Sequence, residues 1–159
     1  MTLDGPAQDA ATTTTGRKRR VLVSSTSSDS HTWNLVFLQI LLEETGHDVA
    51  NVGACVPDEL LIAECERVQP DVAVISSVNG HGFLDGRRPI SRLRGTDSVS
   101  RLPVVTGGKL ATRGSEGEGF GAALMDAGFD AVFEDGEGIG GFRDYLATTG
   151  APAALEPVA

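Results

Sequence analysis

Asp29 and His31 are the two residues of this sequence whose types and spacing could most readily do chemistry. They lie in the stretch D-S-H-T-W-N, residues 29–34, of a chain that has 3 histidines in all. An aspartate so placed can accept the proton of one imidazole nitrogen, which leaves the other nitrogen free to act as a base or to bind a metal. A local Asx-turn with a histidine at the surface would give the same pattern, so the pair alone leaves both interpretations open.

A metal ion bound at His31 would have a single protein ligand. No other histidine, cysteine or carboxylate stands nearby at the spacing that zinc sites use, and Cys55 and Cys65 lie ten residues apart on a predicted loop and a predicted helix. A metal held by one imidazole must arrive with its remaining ligands in place, which points to a macrocycle. Two cysteines also make no disulfide framework, so we expect a reducing, cytoplasmic location.

The elements that must position this pair alternate along the chain. The predicted strands are 21–25, 49–52, 71–75, 103–106 and 131–133, and the predicted helices are 35–45, 57–68, 85–93, 120–127 and 141–147. Such alternation predicts an α/β fold with a doubly wound, five-stranded parallel sheet of the flavodoxin-like type. The third strand is the most apolar, and we expect it at the centre of the sheet.

The carboxyl ends of these strands are where a doubly wound sheet binds its ligands. Polar residues and glycines collect at four of the ends, in residues 27–34, 76–82, 107–109 and 134–141. The sequence therefore predicts one site at this edge of the sheet, and the Asp29–His31 pair belongs to it.

The residues at this edge resemble the motifs of cobalamin-binding domains. D-S-H-T-W-N resembles the signature Asp-x-His-x-x-Gly, S-S-V at 76–78 resembles Ser-x-Leu, and Gly107-Gly108 resembles the Gly-Gly pair of that family. The resemblance spans about residues 19–147 and is closest to the small subunits of glutamate (methylaspartate) mutases. Asn34 stands where the signature has glycine, and Val78 stands where it has leucine.

The resemblance implies a role for individual residues. His31 would be the lower axial ligand of cobalt in place of dimethylbenzimidazole, and Asp29 would hydrogen-bond its far nitrogen. Ser76 would meet the displaced nucleotide tail in a slot between the first and third strands, where Gly107 and Gly108 would let the tail pass close to the backbone. The residues that the resemblance places at the cofactor are Asp29, Ser30, His31, Thr32, Asn34, Ser76, Val78, Gly80, Gly107, Gly108 and Gly136. No side chain of this chain is expected to be catalytic.

The activity that the resemblance implies is that of an isomerase subunit which works only with a larger one. The chain would carry adenosylcobalamin, whose cobalt–carbon bond breaks to give a radical that takes hydrogen from the substrate. A separate large barrel-type mutase subunit would hold the small amino acid substrate, and the expected reaction interconverts L-glutamate and threo-3-methylaspartate. A corrinoid carrier for methyl transfer and a binding module that has lost the cofactor are the alternatives.

Two other functions of doubly wound folds fit less well. G-E-G-I-G-G at 136–141 matches the dinucleotide motif G-x-G-x-x-G, but no strand follows it to carry the ribose-binding acid, so we interpret it as a loop beside the nucleotide tail. A phosphate-accepting receiver domain would need a carboxylate at the end of the third strand, where Ser76-Ser77 stands.

Composition limits the remaining possibilities. The 159 residues, 40% of them hydrophobic, are enough for one domain with a full core, which we place at 19–148 between flexible tails at 1–18 and 149–159. The net charge of −9 argues against nucleic acid as a partner. The apolar runs are much shorter than the roughly 18 residues typical of a membrane span.

Overall fold

The computed structural model of the protein describes residues 18–110, 119–134 and 138–148. Within these residues, five strands form one parallel sheet in the order β2-β1-β3-β4-β5. The strands are β1 (Arg20–Ser25), β2 (Asp48–Gly53), β3 (Val72–Ser77), β4 (Val104–Gly108) and β5 (Ala131–Glu134). The helices are α1 (Trp33–Glu44), α2 (Asp58–Val68), α3 (Gly82–Arg94), α4 (Phe120–Ala127) and α5 (Gly138–Thr148). The predicted doubly wound, flavodoxin-like architecture is confirmed.

Two apolar layers cover the sheet, one on each face. On one face Val72 and Val74 pack with side chains of α1 and α5, and on the other Ala73 and Ile75 pack with side chains of α2, α3 and α4. Side chains alternate between the two faces along a strand. All six residues of β3 are buried and the strand is central, as its apolar composition predicts. Both layers are needed because a parallel sheet is apolar on each face.

The strands β3 and β4 are longer than the sequence indicates. Their parallel register pairs Ser76 with Gly107 and Ser77 with Gly108, so these residues lie in the sheet rather than in the loops that follow it. Serine and glycine have low strand propensity, which is why the sequence pattern ends the strands too early. The consequence for the site is that its serines and glycines are held by inter-strand pairing.

Some sequence predictions fall where the structure gives no description. Residues 1–17 and 149–159, which make up nearly all of the two predicted tails, lie outside the described residues, and so does Gly136. None of the helices that are described combines the length and the apolar character needed to cross a membrane.

Candidate functional site

Asp29 and His31 form a direct contact, which is one of the two arrangements that their spacing allows. Nδ1 of the His31 ring lies 2.7 Å from Oδ1 of Asp29, and the backbone N–H of His31 donates to the same oxygen at 3.0 Å. Both residues belong to the loop that joins β1 to α1, at the carboxyl edge of the sheet. The aspartate therefore holds both the ring and the backbone of the histidine.

The second oxygen of Asp29 joins this loop to the end of β3. Oδ2 accepts hydrogen bonds from the hydroxyl of Ser77 at 3.1 Å and from the backbone N–H groups of Val78 at 2.7 Å and Asn79 at 3.3 Å. The Asp29 side chain is fully buried. Burial would raise the pKa of this carboxyl group, but the hydrogen bonds from His31, Val78 and Ser77 outweigh it and lower the pKa below its ordinary value. Asp29 is therefore a carboxylate at neutral pH.

An ionised Asp29 determines which nitrogen of His31 carries the proton. A carboxylate only accepts hydrogen bonds, so Nδ1 must be the donor in the neutral ring, and Nε2 keeps its lone pair. The His31 side chain is 47% exposed while its partner is buried. The arrangement presents an electron-pair donor to the surface and supports it from behind with a negative charge, which is how metal-binding histidines are usually prepared.

The loop before His31 is also attached to α3. Arg88 donates to Ser27 at 2.9 Å and forms an ion pair with the buried carboxylate of Asp58 at 2.5 Å. The hydroxyl of Ser28 donates to Asp85. Because these contacts come from the opposite face of the sheet to α1, the β1–α1 loop is held from both sides.

A cavity of about 210 Å³ opens beside this loop, between α1 and α5 and above β3 and β4. Exposed Trp33, Phe37 and Ile139 stand at its mouth. The other lining residues are Asn34, Leu38, Val74, Ser76, Val78, Val105, Thr106, Gly107, Gly108, Phe133, Glu134, Gly138 and Phe142. No β1 residue is among them, so this cavity lies one strand away from the slot between the first and third strands in which the sequence analysis expects the nucleotide tail. The cavity lies on the β4 side because α1 covers β1 closely, with Leu35 and Leu38 packed on Val21 and Val23.

Asn34 is one of the polar residues in the cavity wall. It lies in the first turn of α1, is only 5% exposed, and its Nδ2 donates to the hydroxyl oxygen of Ser76 at 2.9 Å. Its Oδ1 is buried and has no hydrogen-bond partner among the described residues. Asn34 and Ser76 together form a polar band in an otherwise mainly apolar wall.

The two glycines of β4 are required by the sheet itself. A Cβ atom on Gly107 would come within 2.5 Å of the carbonyl oxygen of Phe133, and one on Gly108 would overlap the carbonyl oxygen of Ser77. Gly108 also has φ of +101°, which side chains other than glycine's rarely adopt. These positions line the cavity, but the neighbouring strands already explain why they are glycine.

The predicted site residues are only partly brought together. Asp29 and His31 form one contact, and Asn34, Ser76, Val78, Gly107 and Gly108 line the cavity. Ser30 and Thr32 are exposed and outside the cavity lining, although Thr32 accepts the first backbone hydrogen bonds of α1. Gly80 forms a turn with φ of +84° and is also outside it.

Ser77 and Asn79 donate hydrogen bonds to Asp29, and the sequence analysis did not include them among the site residues. Ser77 faces Asp29 because strand alternation turns it away from the cavity that Ser76 faces. The Oδ1 of Asn79 accepts from the backbone of His81 at 2.9 Å, and its Nδ2 donates to Ser28 at 3.2 Å. The period of two along β3 could have identified Ser77, and the Asn79-Gly80 turn signal could have drawn attention to Asn79.

The metal-binding side chains of the described residues suit a metal whose other ligands are already bound when it reaches the protein. Among the described residues, no group of three or more His, Cys, Asp and Glu side chains could hold an ion. Single-ligand coordination through His31 remains, and it fits a macrocyclic metal complex. The cavity is smaller than the roughly 300–1,000 Å³ of pockets that enclose whole small molecules, so it can take a narrow appendage of such a complex while the macrocycle stays outside.

Comparison with known sequences gives consistent matches. The model of the B12 binding domain family matches residues 19–139. The glutamate mutase sigma subunit of Fusobacterium nucleatum subsp. nucleatum is 27% identical over 122 residues, which are 77% of this chain and 89% of that protein. These matches confirm the resemblance seen in the motifs.

Comparison with solved structures agrees on the fold. A cobalamin-binding protein from Desulfitobacterium hafniense DCB-2 superposes with a TM-score of 0.59 at 18% identity, over 74% of this chain and 53% of that one. The chemotaxis response regulator CheY4 of Vibrio cholerae gives 0.58 at 15% identity, over 82% and 97%. At these identities the likeness concerns the fold alone, and the residues at the carboxyl edge must distinguish the two classes. The end of β3 carries Ser76 and Ser77 where a receiver domain needs a carboxylate.

Proposed function

The chain belongs to the B12-binding domain family, and we propose that it binds a cobalamin with Nε2 of His31 as the protein ligand of cobalt. The observation that carries this proposal is the Asp29–His31 pair. A buried carboxylate at 2.7 Å fixes the proton on Nδ1, and the half-exposed ring leaves Nε2 available to a ligand outside the protein. A histidine that served only an Asx-turn would not need a carboxylate held by three further donors.

The cavity supports a second part of the proposal, that the nucleotide tail of the cofactor enters between α1 and α5. Its lining begins two residues after His31, at Trp33, and includes both β4 glycines and several apolar side chains. Its volume of about 210 Å³ suits a tail rather than a corrin ring. Trp33 and Phe37 at its mouth are exposed apolar side chains that would contact the entering group.

We further propose that the chain is the cobalamin-binding subunit of an adenosylcobalamin-dependent carbon-skeleton mutase, with glutamate and 3-methylaspartate as the pair interconverted. Bound adenosylcobalamin supplies homolysis of its cobalt–carbon bond. The relative from Fusobacterium nucleatum, named a glutamate mutase sigma subunit, supports this choice over a methyl carrier.

The residues of this chain would orient and tune the cofactor rather than handle the substrate. The negative charge of Asp29 increases the electron donation of His31, and the hydrogen bonds from Ser77 and Val78 keep that charge in place. The charged side chains described beside the β1–α1 loop, Arg88, Asp58 and Asp85, contact one another or Ser27 and Ser28. A separate large subunit of barrel type would therefore hold the substrate.

A spectroscopic titration tests the proposal. We expect purified protein, alone or with a glutamate mutase large subunit, to change the absorption spectrum of added hydroxocobalamin or adenosylcobalamin. His31→Ala should bind at least about tenfold more weakly, because even residues behind a metal ligand contribute ten- to hundredfold. His47→Ala is the matched control, since His47 lies before β2 at the opposite edge of the sheet. Equal affinities for wild type and His31→Ala would reject His31 as the ligand.

A further inference from the structure

We propose that Asn34 recognises the nucleotide tail of the cobalamin-type cofactor, because its side-chain oxygen accepts a hydrogen bond from a donor group on that tail. The inference rests on the proposed function and makes it more specific. The donor would be either an exocyclic amine on the base at the end of the tail or a hydroxyl group of its ribose.

The first argument is that one end of the Asn34 amide has no partner. Nδ2 is satisfied by Ser76 at 2.9 Å, while Oδ1 is buried and unpartnered among the described residues. Buried polar atoms without a partner are rare because each one loses its hydrogen bond to water. A tail that offers a donor to this oxygen would supply the hydrogen bond that the oxygen lacks. A ligand that offers no donor would leave the oxygen unsatisfied.

The second argument is the position of Asn34 in the cavity wall. Trp33 at the mouth is 63% exposed, whereas its neighbour Asn34 is 5% exposed and faces inward with Ser76. The buried side chains of Leu38 and Val74 line the same cavity. A group must pass the mouth to reach the amide. In such apolar surroundings a hydrogen bond counts for more, and a missing one costs more, than at the surface.

The third argument concerns the motif. Asn34 stands where the signature Asp-x-His-x-x-Gly has glycine, and glycine has no side chain with which to contact a ligand. The amide adds volume as well as an acceptor, so it both narrows the entrance and makes it selective. A side chain that only narrowed the entrance would not need its amide group to be aligned with Ser76.

The chemistry of possible tails makes this selectivity measurable. The 5,6-dimethylbenzimidazole base of cobalamin has no N–H donor once it is attached to ribose, whereas an adenine base carries an exocyclic amine. Cobinamide has neither base nor ribose. Three corrinoids, namely cobalamin, its analogue with adenine as the base, and cobinamide, therefore distinguish recognition of the base, recognition of the ribose and coordination of cobalt.

The experiment measures the affinities of these three corrinoids for wild type, Asn34→Ala and Gln39→Ala. Gln39 is a matched carboxamide on α1 that points away from the cavity and contacts Glu43 and Asn51. We expect Asn34→Ala to weaken binding of one or both tailed compounds by about tenfold and to leave cobinamide unchanged. If the base supplies the donor, wild type binds the adenine-containing corrinoid more tightly than cobalamin, and Asn34→Ala binds the two with equal affinity. If the ribose supplies it, both tailed compounds lose affinity equally. Gln39→Ala should match wild type throughout.

Other results would overturn the inference. Tailed compounds that bind Asn34→Ala as tightly as wild type, or more tightly, would mean that the side chain only obstructs the cavity. An equal loss for cobinamide would mean that the variant disturbs the cobalt site instead. Failure of all three corrinoids to bind wild type, with the large subunit present, would reject the proposed function itself. Thermal unfolding of Asn34→Ala identifies a variant that fails to fold, and Asn34→Ser then replaces it in the same comparison.

Discussion

Replacing Asp29 with alanine is expected to lower the free energy of unfolding by about 3–5 kcal/mol and to abolish tight cobalamin binding. The Asp29 side chain accepts five hydrogen bonds in a fully buried position, two from His31 and one each from Ser77, Val78 and Asn79. Alanine leaves all five donors without this acceptor, and Ser77, which supplies one of them, is fully buried. The β1–α1 loop and the end of β3 would lose the group that connects them.

Asp29→Asn removes the negative charge of the side chain while keeping its size and shape. An amide has only one acceptor oxygen, and its NH2 group would face N–H donors, so we expect a large part of the stability loss to remain. Denaturation by urea measures the change in unfolding free energy, and titration with cobalamin measures the change in affinity for the cofactor. Asp126→Ala, which removes an exposed carboxylate on α4, is the control and should change the unfolding free energy by less than about 0.5 kcal/mol. An Asp29→Ala protein as stable as wild type would contradict the role of Asp29 as the connecting group.

The pH dependence follows from the lowered pKa of Asp29. A carboxyl group whose pKa is lower in the folded state than in the unfolded state stabilises the fold above its unfolded-state pKa. The contribution of Asp29 is therefore fully present at neutral pH and is lost as the pH falls below 3.8, its ordinary value, and through the lowered pKa. The difference in unfolding free energy between wild type and Asp29→Asn should shrink over that acidic range. A difference in unfolding free energy that stays constant over this acidic range would contradict the lowered pKa of Asp29 in the folded state.

Replacing Gly108 with alanine is the second change expected to have a large effect, with a loss of about 2–4 kcal/mol in unfolding free energy. The added Cβ would overlap the carbonyl oxygen of Ser77 on β3, and the backbone has φ of +101°. Gly107→Ala should be comparably harmful because its Cβ would come within 2.5 Å of the Phe133 oxygen on β5. In both cases the obstacle is the backbone of a paired strand, which cannot move aside cheaply.

Gly121→Ala provides the control for both substitutions. Gly121 lies in α4, and a Cβ there meets nothing within 4 Å. Alanine has the higher helix propensity, so this variant should be neutral or more stable by up to about 1 kcal/mol. Thermal melts of the three variants make the comparison. If Gly108→Ala and Gly121→Ala melted at the same temperature, that result would contradict the close approach of Gly108 on β4 to the Ser77 carbonyl on β3.

The fold was predictable because its signals repeat along the chain. Alternating apolar runs of strand and helix length predicted all five strands and five helices of the described residues in the right order. The spacing of Asp29 and His31 left a ring contact and a local Asx-turn open, and the structure contains both, because Asp29 accepts from the His31 ring and from its backbone N–H. Strand ends were harder to place, because Gly107 and Gly108 are poor strand formers that pairing with β3 and β5 holds in place.

Long-range partners account for what the sequence did not predict. Ser77 and Asn79 reach Asp29 from 48 and 50 residues away, and nothing local in the sequence connects them. The displacement of the cavity toward β4 depends on how closely α1 packs on β1, which is a property of side-chain volumes in three dimensions. The departure of Asn34 from the signature was visible in the sequence, but its contact with Ser76 and its unpartnered oxygen were not.

The account depends most directly on His31 as the protein ligand of cobalt. The decisive measurement is the electron paramagnetic resonance spectrum of cob(II)alamin bound to the protein, with the histidines labelled with ¹⁵N or left unlabelled. We predict a nitrogen hyperfine splitting that changes with the label and disappears in His31→Ala. A splitting that is unchanged by the label would mean that cobalt is bound by the cofactor's own base, and it would contradict the role assigned to the Asp29–His31 pair.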